Sequence, residues 1–120
     1  MDILPKADEA VISNEKFTKY ALDPKNSKGK HLAFQTALGY TLENYISLID
    51  NIRRNIKRFP AIRHPDKGHG IRYSVDMELI GANGKVARVI TSWIDDNKTR
   101  EMRLTSAYVK KRRGDYVDYD

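Results

Sequence analysis

Two ammonium groups and one imidazole fall within four residues in the run Lys28-Gly29-Lys30-His31. An imidazole titrates near neutral pH, so it can both take and give a proton. Lysines beside it can hold a phosphate and stabilise extra charge that builds on it. No Asp or Glu occurs between Lys25 and Leu42, so no local acid neutralises the cluster. These residue types suit phosphoryl-transfer chemistry. The same tetrapeptide also reads as the solvated basic start of a helix, and the rest of the chain has to decide between the two.

The cluster follows a polar loop, residues 23–29, and opens a helix expected from about Lys30 to Leu38, with Gly39 as its stop. Before it, Ser13 can cap a helix from Asn14 to Leu22, with Phe17, Tyr20 and Ala21 on one face. Residues 1–13 read as an extended lead-in that adds a short strand or packs on the core. After it, Thr41 reads as a second N-cap, and Glu43 in the first turn suits the helix dipole. Leu42, Tyr45, Ile49, Ile52 and Ile56 then recur at helical spacing up to about Arg58. Arg53, Arg54, Lys57 and Arg58 crowd the last turns, where the dipole accounts for them without any ligand.

From Ile71 the period changes to two. Ile71, Tyr73, Val75, Met77 and Leu79 alternate with Arg72, Ser74, Asp76 and Glu78, the pattern of a half-buried strand. Gly81-Ala82-Asn83-Gly84 predicts a hairpin turn in which Asn-Gly supplies positive φ angles. Val86–Ile94 is the return strand, Asp95–Lys98 a loop, and Met102–Val109 a third strand. In that third strand Met102, Leu104, Ser106 and Tyr108 alternate with Arg103, Thr105, Ala107 and Val109. Short links imply an antiparallel meander. The loop at residues 59–70 holds two prolines and two glycines, with room for a short edge strand at Ala61–Arg63. The expected architecture is α+β, with N-terminal helices packed on one face of an antiparallel sheet.

Thr91 and Trp93 are two apart on the return strand and so share a face. The hydroxyl can bond a phosphate oxygen and the indole can stack a base. Equally, Trp93 can anchor the core with Thr91 filling a β-favourable position. Lys110-Lys111-Arg112-Arg113 is either a phosphate contact or a solvated end.

The chain has 120 residues, which favours one domain. Its 22 Lys and Arg against 16 Asp and Glu leave a formal net charge of +6, which suits an anionic partner. There is no cysteine, so disulfides and thiolate catalysis are excluded. No apolar run approaches a membrane span and the N-terminus has no signal-peptide pattern. Gly-x-Ser-x-Gly and the glycine-rich phosphate loops are absent. His64 and His69 flank Asp66, but no third ligand stands at a recognisable spacing, so no metal and no cofactor are expected. Asp95 and Asp96 are expected to be solvated in their turn.

The reaction that fits is cleavage of RNA by its own 2′-hydroxyl. His31 would be the base, or the base and then the acid. Lys28 and Lys30 would stabilise the five-coordinate phosphorus, and Thr91 would position the phosphate. The product ends in a 2′,3′-cyclic phosphate, and DNA is inert.

These residues carry a resemblance. Lys28-x-Lys30-His31 followed by Thr91-x-Trp93 resembles the colicin D-like nuclease domains, which have Lys-x-Lys-His and then Ser-x-Trp. The wider layout is similar to the C-terminal toxin domains of contact-dependent growth inhibition effectors. Leu4-Pro-x-Ala7, Ala37-Leu38-Gly39, Gly70-x-Arg72-Tyr73-x-Val75, Gly81-x-Asn83-Gly84 and Leu104-Thr105-x-x-Tyr108 carry that second likeness over nearly the whole chain. The resemblance implies the barnase/EndoU/colicin/RelE fold and a single ribonuclease toxin domain over residues 1–120, the C-terminal piece of a larger effector. It implies a tRNA substrate, a cognate acidic immunity protein and, in some systems, a host translation factor. It also implies release from a bacterium as a secreted or cell-surface effector that acts in the target-cell cytoplasm, with no membrane segment in the mature domain. Lys28, Lys30, His31, Thr91 and Trp93 match the colicin D-like pattern, and Arg72, Thr105 and Tyr108 match the broader toxin pattern.

Two other classes compete. A non-catalytic RNA- or ribosome-binding module would use the same basic surface but would not need His31. An interaction domain whose charge only keeps it soluble would show no salt-sensitive RNA binding.

Overall fold

The alternating segments form the centre of a four-stranded sheet. In the computed structural model, which describes residues 1–111, strands β1 (Ala61–His64), β2 (Gly70–Ile80), β3 (Val86–Asp96) and β4 (Met102–Val109) lie in sequential antiparallel order. The fold is α+β, with helices and an antiparallel meander as expected. Val75, Met77 and Leu79 of β2 and Val89, Thr91 and Trp93 of β3 are buried on the core face. Arg72, Ser74, Asp76 and Glu78 stand on the opposite, open face, as a period of two requires. The β2–β3 turn closes with a hydrogen bond from the Gly81 N–H to the Lys85 carbonyl (2.8 Å), and Gly84 alone supplies a positive φ (80°). Asn83 takes no such angle; its side chain accepts from the Lys85 N–H instead.

The third strand departs from its expected alternation. Trp93 pairs with Leu104 and Ser92 with Ser106, so Thr105 is an extra residue, a β-bulge. The phase therefore flips after Leu104. Met102, Leu104 and Ala107 are buried, while Thr105 and Ser106 fall together on the open side. β3 also runs two residues further than expected, and Asp95 and Asp96 are not simply solvated. Asp95 pairs with Lys6 at 2.8 Å, and Asp96 with Arg103.

The helices cover the other face. Helix α1 (Lys30–Leu38) buries Phe34 and Leu38, and helix α2 (Tyr45–Asn55) buries Leu48, Ile49, Asn51 and Ile52 against the same core. α2 starts later than expected because residues 41–44 fold as a turn. There the Thr41 N–H donates to Asn44 Oδ1 (2.8 Å) and the Glu43 N–H to Thr41 Oγ1 (3.2 Å). Leu42 is consequently exposed. Between Lys16 and Ala21 the expected α-helix is a π-helix, closed by a hydrogen bond from the Leu22 N–H to the Phe17 carbonyl at 2.9 Å. The wider turn buries Phe17, Ala21 and Leu22 together and leaves Tyr20 exposed, with Lys16 over its ring at 5.6 Å.

Two close approaches seat α1. Gly39, at φ 74°, ends the helix by donating to the Gln35 carbonyl, the αL closure, while the Tyr40 N–H reaches the Phe34 carbonyl. Gly81 lies so near the helix end that a Cβ there would meet the Leu38 carbonyl oxygen at 2.2 Å. Asn51 ties α2 to the same corner, donating to Tyr40 Oη and to the Ile80 carbonyl, both at 2.9 Å. The lead-in both packs and pairs. Leu4, Ala10 and Ile12 are buried, the Ala61 N–H donates to the Asp2 carbonyl, and Val11 bridges β4 in parallel. The first dozen residues thus run from one edge of the sheet to the other.

Candidate active site

The loop before α1 is built on Asp23. Its carboxylate accepts from the Lys25 N–H and from Asn26 Nδ2, each at 2.9 Å, and its carbonyl accepts from the Ser27 N–H. This Asx turn explains why the polar Asp-Pro-Lys-Asn-Ser stretch has a defined shape. Lys28 and Gly29 then both take left-handed angles, φ 55° and 87°, and α1 begins at Lys30. Glycine adopts that conformation freely, but lysine does so under strain. Lys28 and Lys30 are exposed, whereas His31 is half-buried.

His31 is held by its neighbour one turn back. Its Nδ1 lies 2.6 Å from Ser27 Oγ, and its backbone N–H donates to the same oxygen at 3.2 Å. Ser27 is itself buried, which fixes the anchor. A hydroxyl can donate to an unprotonated Nδ1 or accept from a protonated one, so the bond survives either state of the ring. The ring faces a cleft of about 400 Å³ walled also by Leu22, Gln35, Tyr40, Thr41 and Glu43. Glu43 belongs to the turn that precedes α2, so it is available to this cleft rather than spent on a helix dipole. Sequence reasoning missed it as a site residue, and the only signal was the Thr41–Asn44 turn that holds it. An imidazole and a carboxylate lining one cleft are the residue types that general acid–base chemistry uses.

Among the described residues neither Lys28 nor Lys30 pairs with a carboxylate. Lys30 instead lies over the ring of Tyr108, 5.2 Å from its centroid, a cation–π contact that joins α1 to β4. Tyr108 therefore belongs with the cluster.

Thr91 and Trp93 do not. They share a face as expected, but it is the core face, where they are 0% and 1% exposed. Thr91 Oγ1 donates to the Val75 carbonyl and accepts from Trp93 Nε1. Thr91 has no exposed surface to offer a phosphate and the indole cannot stack a base, so the core-anchor reading of this pair holds.

Arg72 and Thr105 lie elsewhere again, beside a second cleft of about 330 Å³ on the open face that Trp93 also borders. Lys110 continues the ladder with a hydrogen bond to the Arg88 carbonyl, and its ammonium reaches Asp76 at 3.3 Å, so it is paired rather than free for phosphate. Lys111 is exposed; Arg112 and Arg113 lie outside the described residues. Of the expected site, the structure keeps Lys28, Lys30 and His31 together, adds Tyr108 and Glu43, and separates the remainder.

No curated protein and no solved structure matches the chain. One family model does match, over residues 3–111, and the chain accordingly belongs to DUF6883, a domain of unknown function.

Proposed function

We propose that this domain is a metal-independent RNA endonuclease, the toxin portion of a bacterial effector. The observation that carries the reading is the His31 ring, anchored on Ser27 at 2.6 Å in a cleft shared with Glu43 and flanked by lysines without carboxylate partners among the described residues. The ribose 2′-oxygen attacks the adjacent phosphorus, and its proton passes to the Glu43 carboxylate. The bond from phosphorus to the 5′-oxygen breaks, and His31 delivers a proton to that leaving oxygen. Lys28 and Lys30 stabilise the extra negative charge on the five-coordinate phosphorus. The products are a 2′,3′-cyclic phosphate and a 5′-hydroxyl. Neither step calls for a metal.

The likeness to colicin D-like and contact-dependent growth inhibition toxin domains supports tRNA as the substrate and the barnase/EndoU/colicin/RelE fold as the finer classification. It also supports delivery from one bacterium into the cytoplasm of another, help from a host translation factor, and neutralisation by an acidic immunity protein. The formal charge of +6 suits both tRNA and such an inhibitor.

The test is incubation of the purified domain with bacterial tRNA in EDTA, in buffer and in cell extract, beside His31→Ala and Glu43→Gln. Discrete fragments ending in cyclic phosphate, from the wild type alone, are expected. Loss of about 10²–10⁴-fold in rate fits removal of a general acid or base. Intact tRNA in both buffer and extract, with salt-sensitive binding retained, would replace this reading with a non-catalytic RNA-binding module.

A further inference from the structure

We infer that the open face of the sheet carries a second anion site, separate from the His31 cleft, that takes a phosphate of an RNA backbone. Its cleft is lined by His64, Lys67, Arg72, Ser74, Ser92 and Thr105. Three are cations or become one on protonation, three are hydroxyls, and no carboxylate is among the lining residues. That is the donor set for a tetrahedral oxyanion with several acceptor oxygens.

The fold assembles this set by register. Ser74 lies opposite Ser92, and Arg72 opposite His64, so these residues share the open face. His64 Nε2 and Ser74 Oγ share a hydrogen bond of 2.9 Å, which orients the imidazole across β1 and β2. The bulge in β4 turns Thr105 outward. It leaves Thr105 and Ser106 together on the open side, between the buried Leu104 and Ala107.

The surrounding carboxylates are all engaged elsewhere. Asp66 accepts from the Gly68 and Gly70 N–H groups, Asp76 binds Arg88 and Lys110, Asp95 binds Lys6, and Asp96 binds Arg103. Among the described residues, Arg72 and Lys67 have no carboxylate partner. None of these acids lines the cleft, and its guanidinium and ammonium groups are exposed.

The shape favours a polymer over an enclosed small anion. His64, Lys67 and Arg72 are exposed, so a backbone can lie across the cleft. Three residues along β4 from Thr105 stands Tyr108, the ring under Lys30, so the face leads toward the start of α1.

The site does not require that the domain cleave RNA. The experiment uses a 2′-O-methyl hexaribonucleotide, which cannot be cut by its own hydroxyl, and inorganic phosphate as the small probe. Each is titrated into the isotopically labelled full chain and followed by amide and imidazole resonances. Both probes are expected to shift His64, Arg72, Ser74, Ser92 and Thr105, and the shifts should persist in His31→Ala. Arg72→Ala should weaken the oligonucleotide by about tenfold, with Arg72→Lys between it and the wild type, because the lost contact is charge-assisted and forked. Thr105→Val provides an independent variant with the same direction and a smaller effect. Shifts confined to residues 28–31, or an affinity indifferent to both Arg72→Ala and Thr105→Val, would overturn the site. Shifts with inorganic phosphate but none with the oligonucleotide would overturn its assignment to an RNA backbone.

Discussion

The indole N–H of Trp93 donates to Thr91 Oγ1 at 2.8 Å, and the Thr91 hydroxyl donates in turn to the Val75 carbonyl at 2.9 Å. Both side chains are fully enclosed, so this short relay stands where no water can substitute for a lost member. Thr91→Val keeps the shape but strips the indole of its acceptor. It should lower stability by about 1–3 kcal/mol, the cost of orphaning a buried donor, and Thr91→Ser should recover much of it. Urea unfolding measures this. A loss of RNA cleavage with unchanged stability would instead put Thr91 in contact with substrate.

Ser27 is buried and holds the His31 ring, so under the proposed mechanism its part is to position that ring. Ser27→Ala should lower kcat by about tenfold, a part of what a general acid or base contributes, and leave KM nearly unchanged. Ser27→Thr, which keeps a hydroxyl, should recover most of the rate. An unchanged kcat with a lower melting temperature would mean that the Ser27 bond is structural only.

Asp96 sets part of the acid stability. The Lys98 N–H, the Arg103 guanidinium and the Thr99 N–H, in that order, hold its carboxyl below the ordinary value of 3.8. A depressed carboxyl contributes stability that is fully present above the unfolded value and is lost as pH falls through the folded one. The wild type should therefore weaken as pH drops below about 4, the range of unperturbed Asp. Asp96→Asn should be less stable at pH 7 and show a shallower acid limb, read from urea midpoints at neutral and acid pH.

Gly81 controls where α1 sits. A methyl group at this position would meet the Leu38 carbonyl at 2.2 Å, and backbone cannot yield as a flexible side chain would. Gly81→Ala should cost about 1–3 kcal/mol, the range for overpacking a well-packed site. It should also reduce cleavage at temperatures where the variant remains folded, because the helix it displaces carries His31. A Gly84→Ala control, where a Cβ meets nothing within 4 Å but φ is 80°, separates backbone strain from collision.

The sheet was legible because Ile71–Leu79 alternates without a break and one face is buried, so period and burial agree. α1 was legible from its ends, the basic start and Gly39, rather than from any stripe. The bulge at Thr105 was not legible. A bulge adds a residue without changing composition, so the same letters fit either phase, and only pairing with Ser92 and Trp93 decides between them. The π-helix at Lys16–Ala21 escaped notice for a related reason, since Phe17, Ala21 and Leu22 suit a helical face until the five-residue closure selects which of them turn inward. In the candidate site the local cluster was readable because Lys28, Lys30 and His31 are adjacent. Glu43 and Tyr108 were not placed with them, because their proximity to His31 and Lys30 is made by tertiary packing.

The lead-in gives the molecule a direction of weakness. Asp2 meets β1 at Ala61, and Val11 meets β4 at Met102 and Leu104, so one strap touches both borders of the sheet. Traction applied to the first residue would load those contacts, and between them the links of Lys6 to Asp95, Asp8 to Lys57 and the Ala10 carbonyl to Arg53, one after another instead of shearing a whole ladder. Once they part, Leu4, Ala10 and Ile12 leave the core together, and β1 and β4 are both bared. Reassembly would then wait on two closures between distant points of the chain, the slow kind of contact to remake.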